Sequence, residues 1–460
     1  MQQLLAMAWL TWKAAFRFRL FIVMTVLLLA SVVGLPLLIK DDGTARGFTQ
    51  ILLTYTLSVI AALLGLSTVW LACGTLARDI EECQMQVVAV KPIPRWKIWF
   101  GKWLGLVSLD AVLLAIAGAA VFGLLQWRAT RLPEAEQRIL RQEVLVARGS
   151  AKPPTLEREL AEETERQLRA VLERNPDARA NVQDLRKQIR ESLKSELQIV
   201  PPGHVRFWEI DLGLARHLAR GKPMHLRVKF NAAQPSPTGT FAALWQVGPP
   251  DSPRLWRSEP MSLAPDTFHE FEIPPDLFDE NGVLTVAFFN YNNTTLLFPL
   301  DEGMEVLYPE GGFALNYARG LGIIFCWMAA LAALGLATAS FLSFPVAAFA
   351  SLALLTMALS TGTLGTVVSE GTIMGYDAAK GAPGRSPVDV VIVPVFRALL
   401  AVINLAKGFS PIDALSTGRS ISWAQLAAAF GQIVLVLGGG LAAIGIAGFY
   451  RRELAAAQTQ

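Results

Sequence analysis

Gly320–Ser369 reads GLGIIFCWMAALAALGLATASFLSFPVAAFASLALLTMALSTGTLGTVVS, fifty residues without one Asp, Glu, Lys or Arg. A bilayer core about 30 Å thick takes about 20 residues of helix at about 1.5 Å each. The run is long enough to cross twice, and Ser340-Phe341-Leu342-Ser343-Phe344-Pro345 supplies the break between the crossings. Working outward, Leu20 to Ile39 is a further uncharged run, and another extends from about Gln50 to Thr75. Trp103 to Trp127 is interrupted only by Asp110, and a last run lies between Arg419 and Arg451. Six spans result. With 53% hydrophobic and 17% charged residues, the chain falls outside the range of soluble globular proteins.

Orientation follows from the basic residues of short loops. With the N-terminus inside, Lys13, Arg17, Arg19, Arg78, Lys91, Arg95, Lys97, Lys102, Arg451 and Arg452 all lie on the cytoplasmic side. Residues 128–316 are then extracytoplasmic, between a first membrane half (1–127, opening with an interfacial helix) and a second (317–460). Within them, 133–198 reads as helices. Val182, Leu185, Ile189, Leu193 and Leu197 form one apolar stripe there. Residues 200–310 read as short strands, with alternation in His225–Phe230 and runs at 240–247, 271–273, 283–290 and 295–298. The expected fold is therefore an α-helical polytopic membrane protein of six transmembrane helices, with an inserted extracytoplasmic α+β domain whose second part is a β-sandwich or jelly roll.

The segment from Val390 to Leu405 is apolar but short for a crossing, and it contains Pro394 and Arg397. A charge at the bilayer centre costs at least about 2.5 kcal/mol, so a re-entrant segment is expected at about 390–405, with a seventh span as the alternative. Asp110 is the one carboxylate clearly inside a span. A gating or proton-linked role and a plain hydrogen bond to a neighbouring helix are both open for it. Ala119 and Gly123, four apart, suit a close helix contact.

Some chemistry is missing from the sequence. No Gly-x-x-x-x-Gly-Lys-Ser/Thr phosphate loop occurs, and Gly101-Lys102 is followed by Trp103. His204, His217, His225 and His269 have no metal-ligand spacing, and no nucleophile elbow is present. Net charge is +3, which points to no nucleic acid. Cys73, Cys83 and Cys326 all lie outside the polar middle, so that region has no disulfide scaffold. Lys13, Arg17 and Arg19 precede an apolar run too long for a signal-peptide core.

The cytoplasmic loop at 77–102 carries the most information. Glu81 and Glu82 come first, then Val87-Val88, then Pro92-Ile93-Pro94-Arg95. Trp96, Trp99, Phe100 and Trp103 follow at helical spacing with Arg95, Lys97 and Lys102, as in an interfacial helix. This order resembles the ABC-2 type ABC transporter permeases, which place a Glu-bearing helix, a hydrophobic turn, Pro-Ile/Val-Ser-Arg and Gly-Lys ahead of the third span. Here Cys83-Gln84 stands where Gly-Thr is usual, and Pro94 stands where Ser is usual. The resemblance covers the spans and their cytoplasmic loops, including 411–423 and 449–454, and leaves out the inserted domain.

The resemblance implies a bacterial inner-membrane export permease without catalytic, metal or cofactor residues of its own. ATP and Mg would be bound by a separate ABC ATPase subunit. Glu81, Glu82, Pro92, Arg95, Gly101 and Lys102 would form the loop that docks on it. The permease would be a homodimer, or a heterodimer with a second permease. A membrane-anchored protein recognising an envelope glycan or protein, and a membrane-embedded enzyme, are the rival classes.

Overall fold

The structure is a computed structural model that describes residues 2–17, 19–38, 45–85, 93–140, 144–174, 182–250, 253–300, 302–374, 376–377, 382–383, 386–406 and 408–452. The long helices, in chain order, are α1 (Gln2–Ala15), α2 (Arg19–Leu38), α3 (Ala45–Glu81), α4 (Arg95–Ala129), α5 (Glu157–Arg174) and α6 (Val182–Gln198). They continue with α7 (Phe313–Phe341), α8 (Phe344–Leu359), α9 (Thr361–Glu370), α10 (Asp389–Ala406) and α11 (Trp423–Arg451). The chain divides into two compact units, Met1–Leu145 with Phe313–Gln460, and Val146–Gly312.

In the first unit, α3, α4, α7 and α11 are each long and apolar enough to cross a membrane. The chain is a multi-pass membrane protein. The pair α8–α9 adds a fifth element, bent by 71° and therefore a broken span or a re-entrant loop. In α2 the apolar stretch Phe21–Leu35 is shorter. Among the described residues the structure thus gives four long spans, or five with the bent pair, where six were expected. The break expected near Ser343-Phe344-Pro345 is present, with Ser343 at the N-cap and Pro345 in the first turn of α8. The bend after Leu359 was not anticipated, because no charge marks it.

Small residues set the helix spacing. A Cβ at Gly335 of α7 would sit 2.6 Å from Ala72 Cβ and 2.9 Å from Val69 O, so α3 and α7 are in backbone contact there. A Cβ at Gly105 of α4 would lie 2.8 Å from Ala8 O, and one at Gly101 would lie 2.5 Å from Met7 Cβ, so α1 lies in a groove on α4. Trp12 Nε1 donates to Ser108 Oγ across the same contact at 2.8 Å. Among the described residues of the chain, the pair Ala119 and Gly123 makes no such contact. Ala119 is exposed, and nothing lies within 4 Å of a Cβ at Gly123. Gly118 is the close-contact position instead, against Leu321 of α7.

The run Trp96–Trp103 is not a separate interfacial helix. It is the first part of α4, which continues unbroken for 35 residues because no proline interrupts it. Trp99 is fully buried in the bundle, whereas Trp96 is exposed. Pro394 lies inside α10, a continuous helix over the segment read as re-entrant. In α11, Phe430–Gly438 is π-helical.

Among the described residues the second unit holds twelve strands: β1 (Val146–Ala151), β2 (Ile199–Val200), β3 (Val205–Asp211), β4 (Met224–Lys229), β5 (Asn231–Ala232), β6 (Phe241–Val247), β7 (Trp256–Arg257), β8 (Met261–Leu263), β9 (Phe268–Ile273), β10 (Val283–Phe289), β11 (Leu296–Leu297) and β12 (Met304–Gly312). One sheet runs β1-β12-β4-β9 and another β3-β10-β6-β7, with β8 on β6. A small sheet, β2-β11-β5, completes the set. Leu226, Val228, Val306 and Ile273 of the first sheet share one core with Ile210, Trp245, Val286 and Phe288 of the second. This is a sandwich of antiparallel sheets, with β4 where the alternation of 225–230 placed a strand and β6, β9, β10 and β11 overlapping the further runs.

Strand β1 is a correction, since it lies inside the stretch 133–198 read as helical. It pairs with β12, with Val146 opposite Gly312 and Ala151 opposite Val306. On the side of this sheet away from the core, the four strands present Arg148, Glu305, Arg227 and Glu270 in strand order. Arg148 pairs with Glu270, and Arg227 Nη1 donates to Glu305 Oε1 at 2.9 Å. Helices α5 and α6 pack as a hairpin, bridged by Arg186–Glu165 at 2.8 Å and Arg190–Glu157 at 2.9 Å.

Candidate functional site

One group of polar side chains of the first unit collects where α3 and α7 end, α4 and α8 begin, and α11 ends. Several of the interactions there answer a need of the backbone. A helix leaves its first amides and last carbonyls without intrahelical partners, and its dipole favours an anion at the start and a cation at the end. Ser343 makes no side-chain cap at the start of α8, and Glu81 supplies the acceptor instead. Phe344 N donates to Glu81 Oε1 at 2.7 Å. The same Phe344 ring packs edge-on to Trp70 and lies 4.4 Å from the Arg78 guanidinium.

Arg95 performs the opposite service for α11. Its Nη1 donates to Phe449 O at 2.7 Å and to Tyr450 O and Arg452 O at 2.9 Å. Arg452 in turn donates through Nη1 to Ala339 O at 2.9 Å and Leu342 O at 3.2 Å, closing the end of α7. Lys102, one of the least exposed charges of the chain at 3%, donates through Nζ to Asp79 Oδ2 at 2.5 Å and Thr75 O at 2.7 Å. That bond ties the first part of α4 to the last turns of α3. A buried ammonium requires such a partner, because an unpaired charge there costs several kcal/mol.

Of the residues the sequence singled out, Glu81, Arg95, Gly101 and Lys102 come together at this end of the bundle. Glu81 and Arg95 act as helix caps, and Gly101 is where α1 touches α4. Glu82 is exposed and accepts from Gln84 Nε2 at 2.7 Å. Pro92 lies outside the described residues. Asp110 lies apart from this group, eight residues further along α4, buried and touching Thr68 of α3. Pro394 and Arg397 lie elsewhere, on α10, with Arg397 exposed.

Sequence reasoning passed over Asp79, Thr75 and the capping role of Arg452. Their partners are 23 to 113 positions away, so no local spacing signals them. Cys83, just past α3, holds φ at +57°, the left-handed region that favours glycine. At the start of α10, Asp389 accepts from Ser386 N at 2.7 Å and Ile373 N at 3.1 Å, and these backbone donors hold its carboxyl below the usual range. Among the described residues no three His, Cys, Asp or Glu side chains gather as a metal site. No protein-family model, curated protein or solved structure matches the chain.

Proposed function

We propose that this chain is the membrane-spanning permease subunit of an ATP-driven ABC-2 type exporter. It has six spans in a bacterial inner membrane, both termini in the cytoplasm, and the sandwich unit outside. ATP is hydrolysed by a separate ABC ATPase subunit, and the permease works as a homodimer or with a second permease. One observation carries the reading: the segment between α3 and α4 is fastened at both edges to the ends of other helices. Glu81 holds the first amide of α8, and Arg95 holds the last carbonyls of α11. A partner pressing on residues 82–94 would move α8 and α11 together, as rigid elements move in a switching transition. The left-handed Cys83 adds support, since glycine is usual at this position in the family that the loop resembles.

The test is affinity purification of the tagged chain from native membranes, which should bring down a nucleotide-hydrolysing subunit. Glu82→Lys reverses an exposed charge and leaves the helix caps intact. It should abolish stimulation of that ATPase without altering membrane insertion or thermal stability. No associated ATPase at native abundance in intact bilayers would refute the exporter reading.

A second reading is favoured by the sandwich. Val205 and Phe207 of β3 share a sheet face with Phe289 of β10, on which Tyr291 stacks at 6.2 Å. Phe207 and Tyr291 are 60% and 68% exposed, and a contiguous apolar patch left in solvent marks a binding surface. In that reading the chain is a membrane anchor whose sandwich recognises an envelope glycan or protein. Phe207→Ala with Tyr291→Ala would then remove capture of envelope material, with no ATPase involved.

A further inference from the structure

Thr68 of α3 and Asp110 of α4 meet inside the bundle, 2% and 4% exposed. Thr68 Oγ1 lies 2.7 Å from Leu64 O and 2.9 Å from Asp110 Oδ1. The Met328 sulfur of α7 is at 4.0 Å from the same hydroxyl. Asp110 Oδ2 is buried with no hydrogen-bond partner among the described residues. A threonine hydroxyl has one proton to give, and two oxygens face it. Leu64 O is a backbone carbonyl and has none to give.

We propose that Asp110 is a proton-binding site of the bundle. Its carboxyl is held as the neutral acid, with the Oδ1 proton donated to Thr68 Oγ1 and the Thr68 proton donated to Leu64 O. In that form both short contacts contain a proton, and the orphaned Oδ2 is an uncharged carbonyl oxygen. A carboxylate in the same place would bury a full charge with one donor, and that donor would be shared with Leu64 O. Burying an under-bonded anion is by far the costlier arrangement. Among the described residues no cation pairs with it, and the charged groups on the packed helices are Lys13 of α1, Arg19 of α2, Arg78, Asp79 and Glu81 of α3, Arg319 of α7 and Arg451 of α11. The charged side chains of the helices packed on α4 stand within the first or last two turns of those helices, and Lys102 of α4 itself is committed to Asp79 and Thr75 O. Proton occupancy is thereby linked to the α3–α4 contact. Parting Thr68 from Asp110 and admitting water releases the proton, and closing the contact takes one up. This inference does not depend on the exporter reading.

Infrared spectroscopy of the full chain in lipid nanodiscs at neutral pH, in H2O and D2O, tests it. The expected result is a deuterium-sensitive C=O stretching band of a protonated carboxyl that is lost in Asp110→Asn, whose amide keeps the uncharged shape and can donate to Thr68. Thr68→Val removes the acceptor and should shift the band, with circular dichroism confirming that each variant is folded. Absence of the band from the unaltered chain would overturn the proposal. Its persistence undiminished in folded Asp110→Asn, or an unshifted band in folded Thr68→Val, would do so as well.

Discussion

Gly335→Ala adds one methyl group where α3 and α7 are closest. The new Cβ would stand 2.6 Å from Ala72 Cβ, 2.9 Å from Val69 O and 3.3 Å from Cys73 N. Two of these atoms belong to the α3 backbone and cannot rotate away. Unbonded carbons settle at about 3.5–4.0 Å, so the helices must separate by about 1 Å. Overpacking of this kind costs about 1–3 kcal/mol. The separation would also stretch a polar cluster in which Cys73 Sγ lies 3.5 Å from Gly335 O and Ser351 Oγ. Gly123→Ala is the matched control. It adds the same methyl to a helix with nothing within 4 Å, so it reports only the propensity gain of about 1 kcal/mol. Thermal unfolding in nanodiscs, followed by tryptophan fluorescence, should place Gly335→Ala below Gly123→Ala by the steric term of about 1–3 kcal/mol. Coincident unfolding of the two variants would refute the close approach of α3 and α7.

Cys83→Gly should raise stability by about 1 kcal/mol, because a side chain in the left-handed region carries about that penalty; a rise in unfolding temperature checks it, and a fall would show that the Cys83 side chain is needed. Asp389 has its carboxyl depressed by the Ser386 and Ile373 amides, so its stabilisation is present above the unfolded pKa of about 3.9 and lost as pH falls through the lower folded value. Hydrogen exchange at the amides of Ser386 and Ile373 should therefore be slow near neutral pH, and Asp389→Asn should bring forward the loss of protection that acid causes.

The parts of the fold governed by local pattern could be read from the chain. Charge-free runs located α3, α7 and α11, two-residue alternation located β4, and short runs between turn residues located β6 and β10. The parts set by distant partners could not. Val146–Ala151 has no alternation of its own and becomes a strand by pairing with residues more than 150 positions away, where tertiary context outweighs propensity. The aromatic spacing at 96–103 suggested an interfacial helix, yet that signature is shared by any amphipathic first turns, and burial of Trp99 and Lys102 assigns them to the bundle. In the candidate site, the identity of Glu81, Arg95 and Lys102 was legible. Their work was not, because a cap is defined by the helix end it meets.

The pairing of β1 with β12 has a consequence for how such a chain could arise. Val146 faces Gly312 across one ladder, so the sandwich unit begins and finishes at neighbouring points. A module built this way works like a bead clipped onto a string: 167 residues can be acquired or discarded in one genetic event without lengthening the gap that the flanking chain must bridge.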